Sequence, residues 1–377
     1  MNQKQLYIAI GAVVALVAGG AYIALKPKNN APVQAAAPKV HPIHDDAGFL
    51  KETKAYGMMP YAKAELEYEI MIPKDWTEIE AYDTLQENQD AILSRIAYYK
   101  SPMVGTLQME LEINALKLKH EISARNWLRD YILTQGYSPE GNVTEVSGKS
   151  ANAYYVVAGS PAAPSSLEYV AARISGGWVL LATYRAPLPL RNYVKYLQKK
   201  TVDSFKILYP KDEPVEDQKV FTLVDSIKFN YPVSWEVLST DFRDMNRLSV
   251  HLQNKGKAKN IEGYIRFLAV RRSRSTDFQT ELDDQRKYFD NVMNLKIMKL
   301  TSSETSAAYN RFLFNRIEVY DVEPKKGKAS AQEIHFLALG DKEWYIFATL
   351  FTPKESTHLY NWARNTQSFK EIIKSIK

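Results

Sequence analysis

At 377 residues, 45% hydrophobic and 24% charged, the chain has the length of about two to three domains and enough apolar content for each to bury a core. It contains no cysteine, which excludes disulfides, thiolate metal sites, cysteine nucleophiles and acylation of an N-terminal cysteine. A net charge of +6, from 49 basic and 43 acidic residues, mildly favours anionic partners such as lipid headgroups but is not the footprint of a nucleic-acid-binding protein. Aromatic residues make up 12% of the chain, with 24 tyrosines. Side chains of this kind favour strands and half-buried surfaces, so β-rich domains are expected.

The first element is Leu6–Leu25, 20 consecutive residues without a charge. At about 1.5 Å rise per residue such a run spans about 30 Å, the hydrocarbon thickness of a bilayer. Residues 1–25 are therefore read as an uncleaved transmembrane signal anchor. Its N-terminus is expected in the cytoplasm, with the rest of the chain in the periplasm of a bacterial inner-membrane protein. A cleaved signal peptide, with Ala35-Ala36-Ala37 as a distant cleavage site, is the alternative. Residues 26–60 hold five prolines and many alanines without a hydrophobic period, and read as an extended linker. Within them His41, His44, Asp45 and Asp46 are metal-capable, but a linker seldom holds ligands in fixed geometry.

A first module is expected over residues 61–208. Glu67–Ile72 leads into Pro73-Lys74-Asp75-Trp76, where proline ends the strand and Trp76 caps the core. Leu107–Lys119 alternates, with a phase slip at Ala115 that predicts a β-bulge. Ser123 caps a helix with Ala124, Trp127, Leu128 and Tyr131 on one stripe, ended by Gly136. Asn152–Ala158, Glu168–Ser175 and Trp178–Arg185 read as a meander whose last strand, apolar on both faces, is central. Pro189 opens a helix with Leu190, Tyr193, Val194 and Leu197 inward, closing at Ser204-Phe205.

Residues 209–218 are polar, acidic and proline-bearing, and read as the link to a second module over residues 219–377. There Ile227–Tyr231 runs into Pro232-Val233-Ser234-Trp235, and Ile261–Val270 alternates. Thr276 and Gln279 form a capping box for a helix carrying Phe278, Leu282, Phe289 and Val292 inward. Ala308–Val322, Ala331–Leu339 and Trp344–Phe351 are strands, the first two joined by a basic turn at Pro324–Lys328. Ser356 or Thr357 caps a last helix with Leu359, Trp362 and Ala363 on its apolar face.

The two halves share markers. Gly177–Pro187 (GWVLLATYRAP) and Glu343–Pro353 (EWYIFATLFTP) align at the tryptophan, the Ala-Thr pair and the proline. The Pro-x-x-Trp turns and the closing Ser204-Phe205 and Ser368-Phe369 match as well. On these residues each module resembles the PsbP/Mog1-like family, which includes DcrB-like envelope proteins. That resemblance implies an α+β fold of two tandem α/β/α-sandwich modules, each a twisted, mainly antiparallel sheet with flanking helices. It also implies a non-catalytic binding or assembly role. The duplication and the apolar N-terminal segment depart from the family pattern, so its photosystem and small-GTPase partners are not carried over.

No cofactor or metal is expected, and no enzyme. There is no Gly-rich phosphate loop after a strand, no His-Glu-x-x-His and no Gly-x-Ser-x-Gly. His120, His251, His335 and His358 are dispersed, and Glu110 and Glu112 lie on the polar side of an alternating strand, where solvation accounts for them. The candidate partner contacts are the basic cluster Arg271, Arg272 and Arg274, together with Tyr98, Tyr99, Tyr154 and Tyr155, although one tyrosine of each pair should point inward. The expected function is to present two protein-binding modules to an envelope complex such as a secretion or conjugation apparatus. The partners would be other envelope proteins and the inner membrane itself, through residues 6–25. The alternative is a carrier holding an apolar or lipid-like ligand between sheet and helix.

Overall fold

The computed structural model describes residues 43–377 except 81–85, 89–90, 161–162, 225–226, 256–260, 276, 307–308, 310–311 and 326–330. The apolar run Leu6–Leu25, His41, Thr276 and most of the basic turn after Pro324 lie outside the described residues. Among those described, no helix is long and apolar enough to cross a membrane.

Order begins inside the segment read as linker. Helix α1 (Asp46–Glu52) is capped by Asp45, whose side chain accepts from Gly48 N at 2.6 Å. It feeds β1 (Thr53–Met58), which pairs with β2 (Tyr68–Pro73). The sequence hid both because β1 is a largely exposed edge strand with no apolar alternation to read. Then come β3 (Thr77–Ile79), β4 (Gln86–Asn88), β5 (Ala91–Lys100), β6 (Glu110–Lys117) and helix α2 (Ala124–Thr134). Ser123 accepts from Asn126 N at the start of α2, as its position predicts, and Gly136 sits at φ +69° just past its end. The meander is β7 (Ser138–Pro139), β8 (Thr144–Ser147), β9 (Ser150–Val157), β10 (Ser166–Ser175) and β11 (Trp178–Pro187). Helix α3 (Arg191–Asp203) and β12 (Lys206–Ile207) close the first half.

The first large sheet runs β3-β5-β6-β11-β10-β9-β7, and β11 is indeed central and buried on both faces. The predicted bulge is displaced. β6 pairs with β11 without a break, and the register shift lies on β5 between Arg95 and Ala97. Alternation fails at Ala115 because Asn114, Ala115 and Leu116 are all buried, one face under α2 and the other under the small sheet. Tyr193, expected inward, is exposed, and the inner stripe of α3 is Val194, Leu197, Gln198, Thr201 and Val202. Helix α3 and the small sheet β1-β2-β12 cover one face, and α2 covers part of the other.

The second half repeats the plan. A hairpin of β13 (Gln218–Val224) and β14 (Ile227–Pro232) precedes β15 (Trp235–Asp244), β16 (Arg247–Lys255) and β17 (Ile261–Arg271). Helix α4 (Phe278–Asn291), β18 (Leu295–Glu304), β19 (Phe314–Pro324), β20 (Gln332–Gly340), β21 (Trp344–Pro353) and helix α5 (Leu359–Lys374) follow. The sheet order is β15-β16-β17-β21-β20-β19-β18, position for position that of the first. Three of these strands, β15, β16 and β18, were not legible in the sequence. β15 and β18 are exposed along nearly their whole length, so no apolar face marks them.

Details of the helices differ from the sequence reading too. Asp277, not Thr276, caps α4 by accepting from Thr280 N at 2.9 Å, and Val292 is exposed at the helix end. No side-chain cap precedes α5, whose N-cap position is His358. The β13–β14 hairpin and α5 cover one face of this sheet around Phe229, Trp235, Phe267 and Phe369, while α4 covers the other around Leu282, Phe289, Phe336 and Phe347. The fold is thus α+β, with mainly antiparallel sheets. From Ile43 onward it packs as one compact unit, and the stretch 209–218 runs inside that unit.

Candidate functional site at the seam between the modules

Arg271 and Arg272 cap the β20–β21 hairpin. The guanidinium of Arg271 lies 5.0 Å from the ring of Trp344, and that of Arg272 lies 5.4 Å from Tyr345 and 5.7 Å from Phe314. Arg272 also donates to Asp341 O at 2.6 Å, and its backbone N–H donates to Glu343 O at 2.8 Å. Arg274 is exposed at the end of the following turn. The corresponding turn of the first module, Gly176-Gly177, needs its glycines at φ +52° and +78°. It is capped instead by Tyr61, whose ring is 5.3 Å from Trp178, and by Lys63. The marker tryptophans therefore occupy equivalent places under different caps.

The tyrosines do not form one surface. Tyr99 and Tyr155 point inward, as one of each pair must, but to opposite faces of the sheet. Tyr99 packs 5.2 Å from Tyr56, whereas Tyr155 donates to Glu168 at 2.9 Å. Tyr98 sits between Arg95 at 4.7 Å and Lys100 at 5.3 Å, and Tyr154 stacks on Tyr169 at 4.0 Å. Strands β6, β11 and β10 separate the two pairs.

Those strands carry a row that sequence reasoning missed. Cross-strand pairing sets Lys100, Glu110, Arg185, Glu168 and Tyr155 side by side on one face. Arg185 bonds Glu110 at 2.8 Å and Glu168 at 2.7 Å, and Arg95 reaches Glu112 at 3.1 Å. Glu110 and Glu112 are thus ion-paired rather than simply solvated. The same row in the second module reads Gln253, Tyr264, Phe351, Ile334 and Tyr320. The two backbones agree and the two faces do not.

A histidine also gains neighbours that the sequence did not show. His251 Nε2 lies 3.4 Å from Ser249 Oγ, while Nδ1 bonds the Tyr264 hydroxyl. Burial and the nearby Arg266 push the imidazole below its ordinary value. The Ser–His spacing is at the long limit of a hydrogen bond, and a phenol stands where an orienting carboxylate would be needed. No group of metal-ligating side chains occurs among the described residues.

The densest convergence lies between the modules. Ala363 of α5 is buried in the core cluster of the first module, with Tyr360 and Trp362 packed against it. Trp362 Nε1 donates to Glu333 at 2.7 Å, and His335 lies 3.2 Å from the same carboxylate. Arg129 of α2 pairs with Glu355. The acidic stretch read as a linker is packed here. Val215 N donates to Glu121, and Glu216 bonds His120 at 3.1 Å and Ser234 N at 3.1 Å. Around these contacts is a cavity of about 500 Å³ lined by both modules, and adjoining it is one of about 370 Å³ that shares Ser147, Lys149, Ile174 and Asp212. The residues of the larger cavity come from six separated segments, so no local motif announces it.

Glu216 is expected to make the stability of the seam depend on pH. Burial pushes its carboxyl up, but the bonds from His120 and Ser234 more than offset this, and it sits below its ordinary value. A carboxyl lowered on folding contributes stability that is complete above its unfolded pKa and lost as pH falls through the folded one. Glu216→Gln is expected to cost about 1–2 kcal/mol at pH 7. Urea melts should show the variant and the parent converging toward pH 3. A gap that stays constant would mean that the carboxylate charge is not what holds the seam.

Exposed apolar side chains gather elsewhere, on the second module's long edges: Val237, Leu238 and Phe242 on β15, with Met245 beyond it, and Met298 and Leu300 on β18. Each edge strand is 10 residues long, against three and two for β3 and β7 in the first module.

No protein-family model matches the chain, and no curated protein matches it. It is similar to the Ran-binding protein Mog1p of Saccharomyces cerevisiae, at 10% identity and a TM-score of 0.31, over 43% of this chain and 95% of that one. It is likewise similar to cyanobacterial PsbP from Synechocystis, at 12% identity and a TM-score of 0.30, over 41% of this chain and 92% of that one. A T6SS immunity protein, TplEi of Pseudomonas aeruginosa, aligns over 86% of this chain and 96% of its own, at 10% identity and a TM-score of 0.22. Likenesses of this size carry nothing about function.

Proposed function

We propose that this chain is a non-catalytic protein-binding component of the bacterial envelope. In this reading residues 6–25 anchor it in the inner membrane, and two tandem Mog1/PsbP-like modules face the periplasm. They dock to proteins of a multiprotein complex such as a secretion or conjugation apparatus. The observation that carries the reading is the contrast between surface and core. Apolar side chains are exposed on the edges of the second sheet, while the space between sheets and helices is filled by side chains such as Phe229, Phe289 and Phe336. A docking protein shows its apolar groups, whereas a carrier hides them around a cavity. Repeats with equal backbones and different faces fit a body that meets two different surfaces.

The test is crosslinking in intact cells, membrane solubilisation, capture through a C-terminal tag and identification of partners by mass spectrometry. A defined set of envelope proteins is the expected result. Capture of the bare chain with a lipid or small molecule would overturn this reading in favour of the carrier. Phe242→Glu together with Leu238→Glu should reduce partner yield at least fivefold without lowering the melting temperature, because both side chains are exposed.

A further inference from the structure

The second large sheet ends in two edges of opposite charge. Among the described residues, β15 has β16 and β18 has β19 as its sheet neighbour, and neither pairs with a strand on its outer side. β15 carries Glu236, Asp241 and Asp244 against Arg243, whereas β18 carries Lys296 and Lys299 against Glu304. Exposed apolar groups lie among them, Val237, Leu238 and Phe242 on one edge and Met298 and Leu300 on the other. Lysines on an open edge ordinarily keep other strands away. Set against an acidic edge, the same lysines select it.

Strand register decides how two such edges can meet. Glu236, Asp241 and Asp244 pair with Gln253, Ser249 and Arg247, which pair in turn with Tyr264, Leu268 and Val270 on the side of α4. Cross-strand neighbours share a face, so the acidic row is on the α4 face. On β18 it is Leu295 and Ile297 that belong with the α4-side core, so Lys296 and Lys299 are on the opposite face, that of the β13–β14 hairpin and α5. β15 and β18 stand first and seventh in an antiparallel order and therefore run the same way. A second copy laid antiparallel along β18 is thus turned over, and its α4 face continues the hairpin face of the first copy. In that arrangement the lysines and the carboxylates come onto one surface, and in a parallel one they do not.

We propose that β18 of one copy pairs antiparallel with β15 of a second copy, Lys296 opposite Asp241 and Leu300 opposite Val237. With the register shifts on both strands counted, Lys299 falls opposite Ser239, where its long side chain reaches the carboxylates of both Asp241 and Glu236, and Glu304 passes the end of β15. The contact joins two different edges, so every copy keeps one edge free and association continues past a dimer. The inference rests on the protein-binding reading above and names the occupant of its apolar edges: an array of copies, rather than a single chain, meets the envelope complex.

The test is sedimentation of the full-length chain in detergent micelles across a dilution series. Species larger than a dimer are expected, dissociating on dilution. Lys296→Glu with Lys299→Glu should weaken association at least tenfold, and so should Glu236→Lys with Asp241→Lys. Mixing the two variants should restore it, because each then meets an edge of opposite charge. None of the four side chains is buried, so both variants should melt with the parent. The chain has no cysteine, so the register can be read by oxidation. Ser239→Cys mixed with Lys299→Cys should give a disulfide-linked pair, and Ser239→Cys alone should give none.

A parent chain that stays monomeric overturns the inference. So does association that survives the lysine reversal, which would run through another surface, and so does a Ser239→Cys chain that links to itself, which would make the contact symmetric. A monomeric parent that still captures envelope proteins removes the array alone and leaves the protein-binding reading standing. A parent that assembles but captures nothing except further copies would sink that reading instead.

Discussion

Phe369→Ala is expected to lower the stability of the whole chain by about 3–5 kcal/mol, the usual cost of truncating a buried phenylalanine. Phe369 is buried on α5 beside Ile372 and Ile373 in the core of the second module. The same helix carries Ala363 into the core cluster of the first module and rests Trp362 on it. Packing of this density transmits a displacement, because neither cluster has room to absorb it. Loosening α5 should therefore be felt in α2. The check is urea unfolding combined with amide hydrogen exchange. The expected result is one transition at lower urea, with protection lost around Trp127 and Tyr131 as well as around Phe369. If protection falls only in the second module, the seam is a contact between two independently stable bodies.

The second large effect is Arg286→Met. Glu318 lies fully buried on β19, bonded by Arg286 and by the Tyr320 hydroxyl, with Arg316 at 3.8 Å. Methionine retains most of the stem of Arg286 and removes the guanidinium, with its bonds to Glu318, the Tyr320 hydroxyl and Asp283. Breaking a buried pair by taking away one partner costs about 3–5 kcal/mol, chiefly because the remaining charge is stranded. Arg286 is itself partly exposed and Arg316 stays nearby, so the lower end of that range is expected. Glu318→Gln in the same chain should recover at least half of the loss, since it removes the stranded charge. Thermal and urea melts of both single variants and the double variant test this. A double variant whose losses simply add would show that the pair is not coupled.

These predictions fall in places that local pattern describes unevenly. The inner stripe of α2 (Ala124, Trp127, Leu128 and Tyr131) was legible because a helix buries residues at three- and four-residue steps and Ser123 marks its start. The central strands β11 and β21 were legible because both of their faces are covered, and so both read as apolar. Strands β15 and β18 were not, because an exposed edge has no buried face to alternate against. Arg271 and Arg272 were visible as a cluster, but not as a cap, since Trp344, Tyr345 and Phe314 reach them from other strands.

The sequence by itself determined the strand that runs through the centre of each large sheet, the Pro-x-x-Trp turns that follow β2 and β14, and the Ser123 cap of α2. All of these follow from residues within a few positions of one another. Only the tertiary structure decided what the acidic stretch 209–218 does, which carboxylates are ion-paired and where the cavity with Glu121 and Glu371 lies. The reason is physical. The partners in each case sit tens to hundreds of residues apart, and their meeting depends on sheet register and on the packing of α2 against α5. Only the assembled fold sets these.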